Sequence, residues 1–404
     1  MADKTPSQVV LFVVPNVSSF ATFLLPLAEC LRAEGFDVHC ACDTRALWPS
    51  AEIKGTTIHH VSMPRGMSPR QHRAAAASLR RTVREVQPAL VHAHFSAALF
   101  TTALARTSGW PLTLGTFHGV GFPLVSGAKG VALRAAETWA ASRLDDVFVL
   151  TDDDSAALRR WPFRTQVTRQ PGFGIGCDTD RFDDGSLSQH DRAAIRSELA
   201  LTREDFVFTF VGRFTAFKGY GNAARAFMGL AARRSEPMKL LLVGAVDAMH
   251  TTGLNDDEVA RMTASSDVRD MGWQSDVFKY LAISDALVFP SEREGMPVCA
   301  MEALSMGVPV ITRDTRGCRD VVRDGIDGLI VRNATPDALA CAMESLIVDR
   351  GLQQRLRAGA LAGRPRFSRD AFVRHQMSEY AARVASATTF DRADVKALRA
   401  SHVS

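Results

Sequence analysis

Little in this chain of 404 residues points to covalent cross-linking. Its seven cysteines are scattered, odd in number and form no Cys-x-x-Cys pair. Neither a disulfide framework nor a zinc site is indicated, and a reducing cytosol is the expected compartment. Cys40 and Cys42, two apart on an expected strand, read as core residues. No uninterrupted apolar run approaches the roughly 18 residues that span a bilayer. The polar start Met-Ala-Asp-Lys-Thr-Pro-Ser-Gln reads as no signal peptide. There is no internal repeat, and low complexity is confined to Ala74–Ala77. A net charge of +4 is too small to imply a nucleic-acid partner. What remains is ordinary for a soluble globular protein, with 46% apolar and 23% charged residues. The length predicts two or three domains with full cores.

Strand and helix patterns alternate twice. Val9–Val14, Val38–Cys42, Leu90–Ala93, Leu112–Thr116 and Val147–Leu150 read as buried strands, with a helix from Phe20 to Glu34 that stops at Gly35. A stretch rich in Gly, Asp and Ser between Pro171 and His190 reads as a linker. Strands resume at Phe206–Val211, Lys239–Val243, Val268–Met271, Ala286–Phe289, Val308–Thr312 and Gly328–Val331. The fold class is therefore α/β, with two doubly wound Rossmann-like domains facing a central cleft, and ligands beyond the carboxyl ends of the strands. The expected domains are 1–180, 181–366 and a helical tail over 367–404.

The richest segment is Phe289 to Pro309. A strand stops at Pro290, Glu294 and Gly295 follow in a polar loop, Pro297 suits the first residue of a helix, and Gly307 suits its left-handed end. Glu302 lies on that helix, eight positions after Glu294. Unpaired N–H groups at a helix start attract an anion, and two carboxylates beside it can grip hydroxyls. That combination suits a nucleotide sugar. A second segment, Phe210 to Gly219, ends a strand at Gly212 and places Arg213 and Lys218 in the turn beyond it. A third, Thr116-Phe117-His118-Gly119-Val120-Gly121-Phe122, follows a strand of the first half.

Together these residues resemble the retaining family 4 glycosyltransferases of the GT-B fold. Glu294-x7-Glu302 with Gly-Met-Pro-Val between, Gly212-Arg213-x4-Lys218-Gly219, Gly272-Trp273-Gln274-Ser275-Asp276-Val277 and Gly174–Phe182 all carry the likeness. The Thr-x-His-Gly-x-Gly-Phe element resembles that of lipid-linked sugar transferases. The resemblance implies that Arg213 and Lys218 hold the donor diphosphate, where preorganised cations stabilise the charge that grows on the leaving phosphate. It implies Glu302 on the ribose hydroxyls, Glu294 on the sugar, and backbone N–H groups near Met296 and Val298 on sugar and phosphate, with Gly295 and Pro297 also in the donor site. Trp273 would lie near the base or in the core. His118 would meet the donor sugar or the leaving side, so the catalytic set is His118, Arg213, Lys218 and Glu294. The last helix would return to the N-terminal domain.

Acceptor-side candidates are His94, Arg65, Arg70, Arg73, Asn16, Ser18 and Ser19, the last three also suited to capping a helix. The common Gly-Gly pair of relatives is absent from that first turn. From Arg65 through Arg70, Arg73, Arg80 and Arg81 to Arg84 there is no acid, which suits a solvated face, anionic lipid headgroups or a diphosphate acceptor. Asp152-Asp153-Asp154 reads as negative charge at a helix start, and Asp178 and Asp180 fall in the linker, so no metal and no cofactor are expected. The expected activity is a retaining hexosyl- or N-acetylhexosaminyltransferase using a UDP-sugar. Its acceptor would be a growing glycan, carried on a polyprenyl diphosphate, in exopolysaccharide or lipopolysaccharide assembly. The enzyme would be cytoplasmic, with peripheral membrane contact. The alternatives are a nucleotide-sugar 2-epimerase of similar fold and a non-catalytic sugar-nucleotide-binding protein.

Overall fold

The structure is a computed structural model that describes residues 9–45, 53–64, 66, 68–161, 165–247 and 250–383. Arg65 lies outside the described residues. The chain divides into two compact units, Met1–Pro171 with Ala371–Ser404, and Gly172–Asp370.

The first unit is built on β1 (Val9–Asn16), β2 (Asp37–Asp43), β3 (Thr57–His60), β4 (Leu90–His94), β5 (Leu112–Phe117), β6 (Asp146–Val149) and β7 (Gln166–Arg169). They form one sheet in the order β3-β2-β1-β4-β5-β6-β7, parallel throughout. Central strands in such a sheet are covered on both faces, so they need continuous apolar runs. Leu11, Phe12 and Val13 of β1 are accordingly all buried. The second unit holds β8 (Phe206–Val211), β9 (Met238–Val243), β10 (Val268–Gly272), β11 (Ala286–Phe289), β12 (Val310–Arg313) and β13 (Gly328–Val331), ordered β10-β9-β8-β11-β12-β13 and again parallel. In each sheet the order reverses once, between β1 and β4 and between β8 and β11. Loops diverge at such a point and leave room beyond the carboxyl ends of the strands.

Four elements differ from the sequence reading. The helix expected over Phe20–Glu34 is two, Val17–Phe23 and Leu25–Ala33, because Pro26 lacks an N–H and suits only a helix start. The edge strands β3 and β7 were not expected; their half-exposed His, Thr, Gln and Arg residues give no apolar run. β12 begins at Val310, after Pro309, whose carbonyl still accepts from Leu287 N.

The segment Gly172–Phe182, read as linker, is tied into the second unit: Cys177 N donates to Phe367 O at 2.8 Å and Arg369 N to Cys177 O at 3.1 Å. The described part of the tail is helical over 369–383. It packs on the first sheet through Gln376, which accepts from Gln170 at 2.6 Å, Tyr380, whose hydroxyl is 2.5 Å from His92 Nδ1, and Arg383, 2.7 Å from Asp146. The helix Pro69–Val86 buries His72, Ala75, Ala76, Leu79 and Val83 and turns Arg70, Arg73, Arg81 and Arg84 outward. Arg80 departs from that face: its guanidinium donates to Leu104 O and Ala105 O, both at 2.9 Å, capping the helix Ser96–Ala105. Among the described residues no helix is long and apolar enough to cross a membrane.

Candidate active site

The second unit gathers its cations and carboxylates where β8 and β11 diverge. Beyond β8 the chain makes a short turn, Ala216–Lys218, and the loop beyond β11 is laced to it by backbone contacts. Glu292 N donates to Phe217 O at 2.8 Å, and the Ser291 hydroxyl to the same carbonyl at 3.2 Å. Gly219 makes the approach possible: its φ is +80°, and a Cβ there would stand 2.5 Å from Pro290 O. On the far side Gly317, with φ +79°, lies so close to the loop that a Cβ would meet Gly295 O at 2.5 Å.

These contacts bring Lys218 and Glu294 together. Lys218 Nζ lies 2.6 Å from Glu294 Oε1, and the two side chains are only 19% and 9% exposed. Arg213 is likewise engaged, 2.5 Å from Asp247, with its guanidinium 5.3 Å from the centre of the Phe217 ring. Arg293 approaches the same ring at 5.6 Å, and His250 meets it edge-on at 5.1 Å. The helix that follows runs from Val298 to Ser305; Pro297, expected as its first residue, is the extended N-cap before it, and Gly307, at φ +70°, lies just beyond its end. Among the described residues the N–H groups of Val298 and Cys299, both half-buried, have no hydrogen-bond acceptor, so the helix start keeps free donors.

Glu302 differs from Glu294. Its side chain makes no hydrogen bond or ion pair among the described residues. Desolvation pushes its carboxyl up to about 7, against the opposing pull of Arg369 and Arg181. Arg369 reaches this neighbourhood because its backbone pairs with Cys177, whose thiol is also 3.3 Å from Ser305 on the helix of Glu302. A partly buried carboxylate with cations nearby and its oxygens unused suits a ligand that donates hydroxyls. Trp273, just past β10, is 40% exposed, which removes the core reading of that residue.

The first unit assembles a different group at the ends of β4 and β5. His92 is fully buried between Tyr380 and Thr116, its Nε2 2.8 Å from Thr116 Oγ1. His94 Nδ1 lies 3.1 Å from His118 Nε2, and the His92 and His94 rings are 4.1 Å apart. Desolvation holds all three imidazoles neutral: His92 and His118 are pushed down to about 3 and His94 well below its usual value. Phe95 stacks on His118 with ring centres 4.1 Å apart. Its φ of +72° is a left-handed backbone that an aromatic residue rarely adopts, at a cost of about 1–3 kcal/mol. His94 is buried at 2% exposure, so it backs His118 and does not line an acceptor surface as expected.

Two buried carboxylates pin the loop after His118. Glu137 accepts from Gly121 N and Phe122 N, each at 3.0 Å, and from Ser96 Oγ at 2.6 Å. Asp154 accepts from Val120 N at 3.0 Å. The acidic triplet does open a helix, Asp152–Arg159, as expected, but its third member also holds this loop. Asn16 caps the helix Val17–Phe23, accepting from Ser19 N at 2.9 Å and lying 3.1 Å from Ser19 Oγ; Ser18 sits in the same first turn. Among the described residues no group of three His, Cys, Asp or Glu side chains is placed to hold a metal.

Comparison with known proteins agrees with this arrangement. Residues 20–171 match the Glycosyl transferase 4-like domain, and residues 191–362 match the Glycosyl transferases group 1 family. The chain belongs to these glycosyltransferases. It is 25% identical over 352 residues to the glycosyltransferase EpsD of Bacillus subtilis, covering 83% of this chain and 87% of EpsD. It is also 25% identical, over 84% of its length and 87% of the relative, to an Escherichia coli enzyme. That relative is the UDP-Gal:α-D-GlcNAc-diphosphoundecaprenol α-1,3-galactosyltransferase. The crystal structure of Anabaena HepE in complex with UDP and glucose superposes with a TM-score of 0.73 at 17% identity, covering 92% of this chain and 99% of HepE. That likeness shows the GT-B fold. The glycosyltransferase thus has α/β architecture with two Rossmann-like sheets. Sequence reasoning missed Asp247, Arg293, Arg369, Glu137 and Tyr380. Each acts through a partner distant in sequence or, for Arg293, through a ring on another loop, so no local motif marks it.

Proposed function

We propose that this glycosyltransferase moves a sugar from a UDP-sugar to a growing glycan carried on a polyprenyl diphosphate, with retention at the anomeric carbon, in polysaccharide biosynthesis. The observation that carries the reading is the meeting of Lys218, Glu294, Arg213 and the free helix-start N–H groups on two laced loops where β8 and β11 diverge. A diphosphate can take the place of the carboxylates that now hold Lys218 and Arg213, and the two cations take up charge that a divalent ion would otherwise neutralise. The uridine base and the lipid-diphosphate acceptor are supported by the printed activity of the Escherichia coli relative and by the UDP held in HepE.

In this reading the diphosphate draws Lys218 from Glu294, which leaves Glu294 for sugar hydroxyls while Glu302 takes the ribose. The bond from the anomeric carbon to the leaving phosphate breaks. The acceptor oxygen bonds to the same face of that carbon, and its proton passes to an oxygen of the departing diphosphate. His118 hydrogen-bonds a substrate oxygen. Replacing Arg213 and Lys218 together by alanine should slow sugar transfer by orders of magnitude in a radiolabel assay; near-normal turnover would refute their assignment to the leaving group.

Glu302 gives the reading a pH dependence. Its carboxyl titrates at about 7, so the ionised form that accepts ribose hydroxyls is depleted as pH falls. UDP affinity measured by calorimetry should drop as pH is lowered from about 8 to 6, approaching tenfold per unit at the acid end, and Glu302→Gln should flatten the profile. An unchanged slope in that variant would remove Glu302 from the site.

We also propose that Arg70, Arg73, Arg81 and Arg84 hold the enzyme on the cytoplasmic face of a membrane. Each basic residue near an anionic surface contributes about 1 kcal/mol. Sedimentation with vesicles rich in anionic lipid should fall sharply when all four are replaced by glutamine, and undiminished binding would assign them to a solvated face.

A further inference from the structure

The histidines at the ends of β4 and β5 make a chain whose proton positions follow from their partners. His94 and His118 share one hydrogen bond, His94 Nδ1 to His118 Nε2 at 3.1 Å, and only one of the two nitrogens carries its hydrogen. If His118 donated from Nε2, neutral His94 would carry its own proton on Nε2. That atom is buried and has no acceptor within hydrogen-bond reach among the described residues. A buried N–H without an acceptor is costly and rare. The opposite arrangement puts the hydrogen on His94 Nδ1, donates it to His118 Nε2 and leaves His118 protonated at Nδ1. Nδ1 of His118 makes no hydrogen bond among the described residues, and His118, unlike His94, is partly exposed.

We infer that His94 is a positioning residue that fixes His118 as the Nδ1–H tautomer, so that His118 serves its substrate as a hydrogen-bond donor and not as a base. The surroundings enforce this orientation. Phe95 stacks on one face of the His118 ring from its strained backbone, and Phe23 approaches with ring centres 5.6 Å apart. Glu137 and Asp154 hold the backbone that follows, at Val120, Gly121 and Phe122. His94 is itself packed against His92, whose two nitrogens are taken by Tyr380 and Thr116. The burial that keeps these imidazoles neutral makes the tautomer, and not the charge, the variable the protein sets. This inference rests on the placing of His118 against substrate only for its functional consequence; the tautomer can be read without substrate.

The test is a long-range nitrogen–proton correlation spectrum of the full-length protein labelled with 15N-histidine, with the His118 signals assigned by their loss in His118→Asn. The expected spectrum shows His118 protonated at Nδ1 and bare at Nε2. His94→Leu should return His118 to the Nε2–H form that free imidazole prefers and lower kcat at least tenfold with KM for the donor little changed. His94→Asn, whose amide nitrogen falls near the original Nδ1, should restore both the tautomer and most of the rate. A wild-type spectrum with His118 protonated at Nε2 overturns the inference, even if His94→Leu fails to fold, and so does a folded His94→Leu that keeps the Nδ1–H form and full kcat. An Nδ1–H spectrum together with a fully active His118→Asn would leave the tautomer standing and remove His118 from the reaction.

Discussion

Lys218 and Glu294 come from loops beyond two different strands, and the ion pair between them joins those loops. It forms because the backbone beneath it is laced first: the Phe217 carbonyl takes donors from Glu292 and Ser291, and Gly219 lets the chains touch. With both groups largely out of water, losing one partner leaves an uncompensated charge, a penalty of about 3–5 kcal/mol. The pair is therefore a strong constraint at rest; under the proposed function it would be substitutable when a diphosphate enters, because the ligand would offer Lys218 an equivalent anion and Glu294 a set of hydroxyls. Arg213 repeats the arrangement with Asp247. Both cations are held in place by carboxylates, which under the proposed function would lower the reorganisation that donor binding requires.

The first unit solves a different problem. His118 stands among rings and buried neighbours that keep it neutral, and its geometry is set by contacts from three places in the chain: Phe23, the adjacent His94 and Phe95, and the loop pinned by Glu137 and Asp154. The charged pairs are concentrated on the loops of the second unit, and the histidines of the first unit are held neutral by burial.

Much of this was legible in the sequence because it depends on local pattern. The central strands are continuous apolar runs, Gly307 ends its helix as the sequence requires, and Glu294, Glu302, Arg213 and Lys218 stand in spaced motifs. What escaped depends on distance. The edge strands β3 and β7 have no apolar periodicity, and Pro26 divides a helix whose flanks both read as helical. Arg80 was grouped with the exposed arginines, yet it caps a neighbouring helix. Nothing in the sequence showed that Lys218 pairs with Glu294, that Asp154 serves the loop of His118, or that Tyr380 meets His92 across 288 positions of chain. Those facts belong to the packing of loops and helices onto the sheets.

The central claim is that Lys218 is shared between Glu294 and the donor diphosphate, and a double-mutant cycle on UDP affinity tests it most directly. Calorimetry would compare the wild type with Glu294→Gln, Lys218→Met and the double variant. Removing the carboxylate should release Lys218 to the diphosphate, so Glu294→Gln should bind UDP more tightly, and that gain should vanish in the Lys218→Met background, a coupling of about 1 kcal/mol or more. An effect of Glu294→Gln that is the same in both backgrounds, within about 0.5 kcal/mol, would contradict the account.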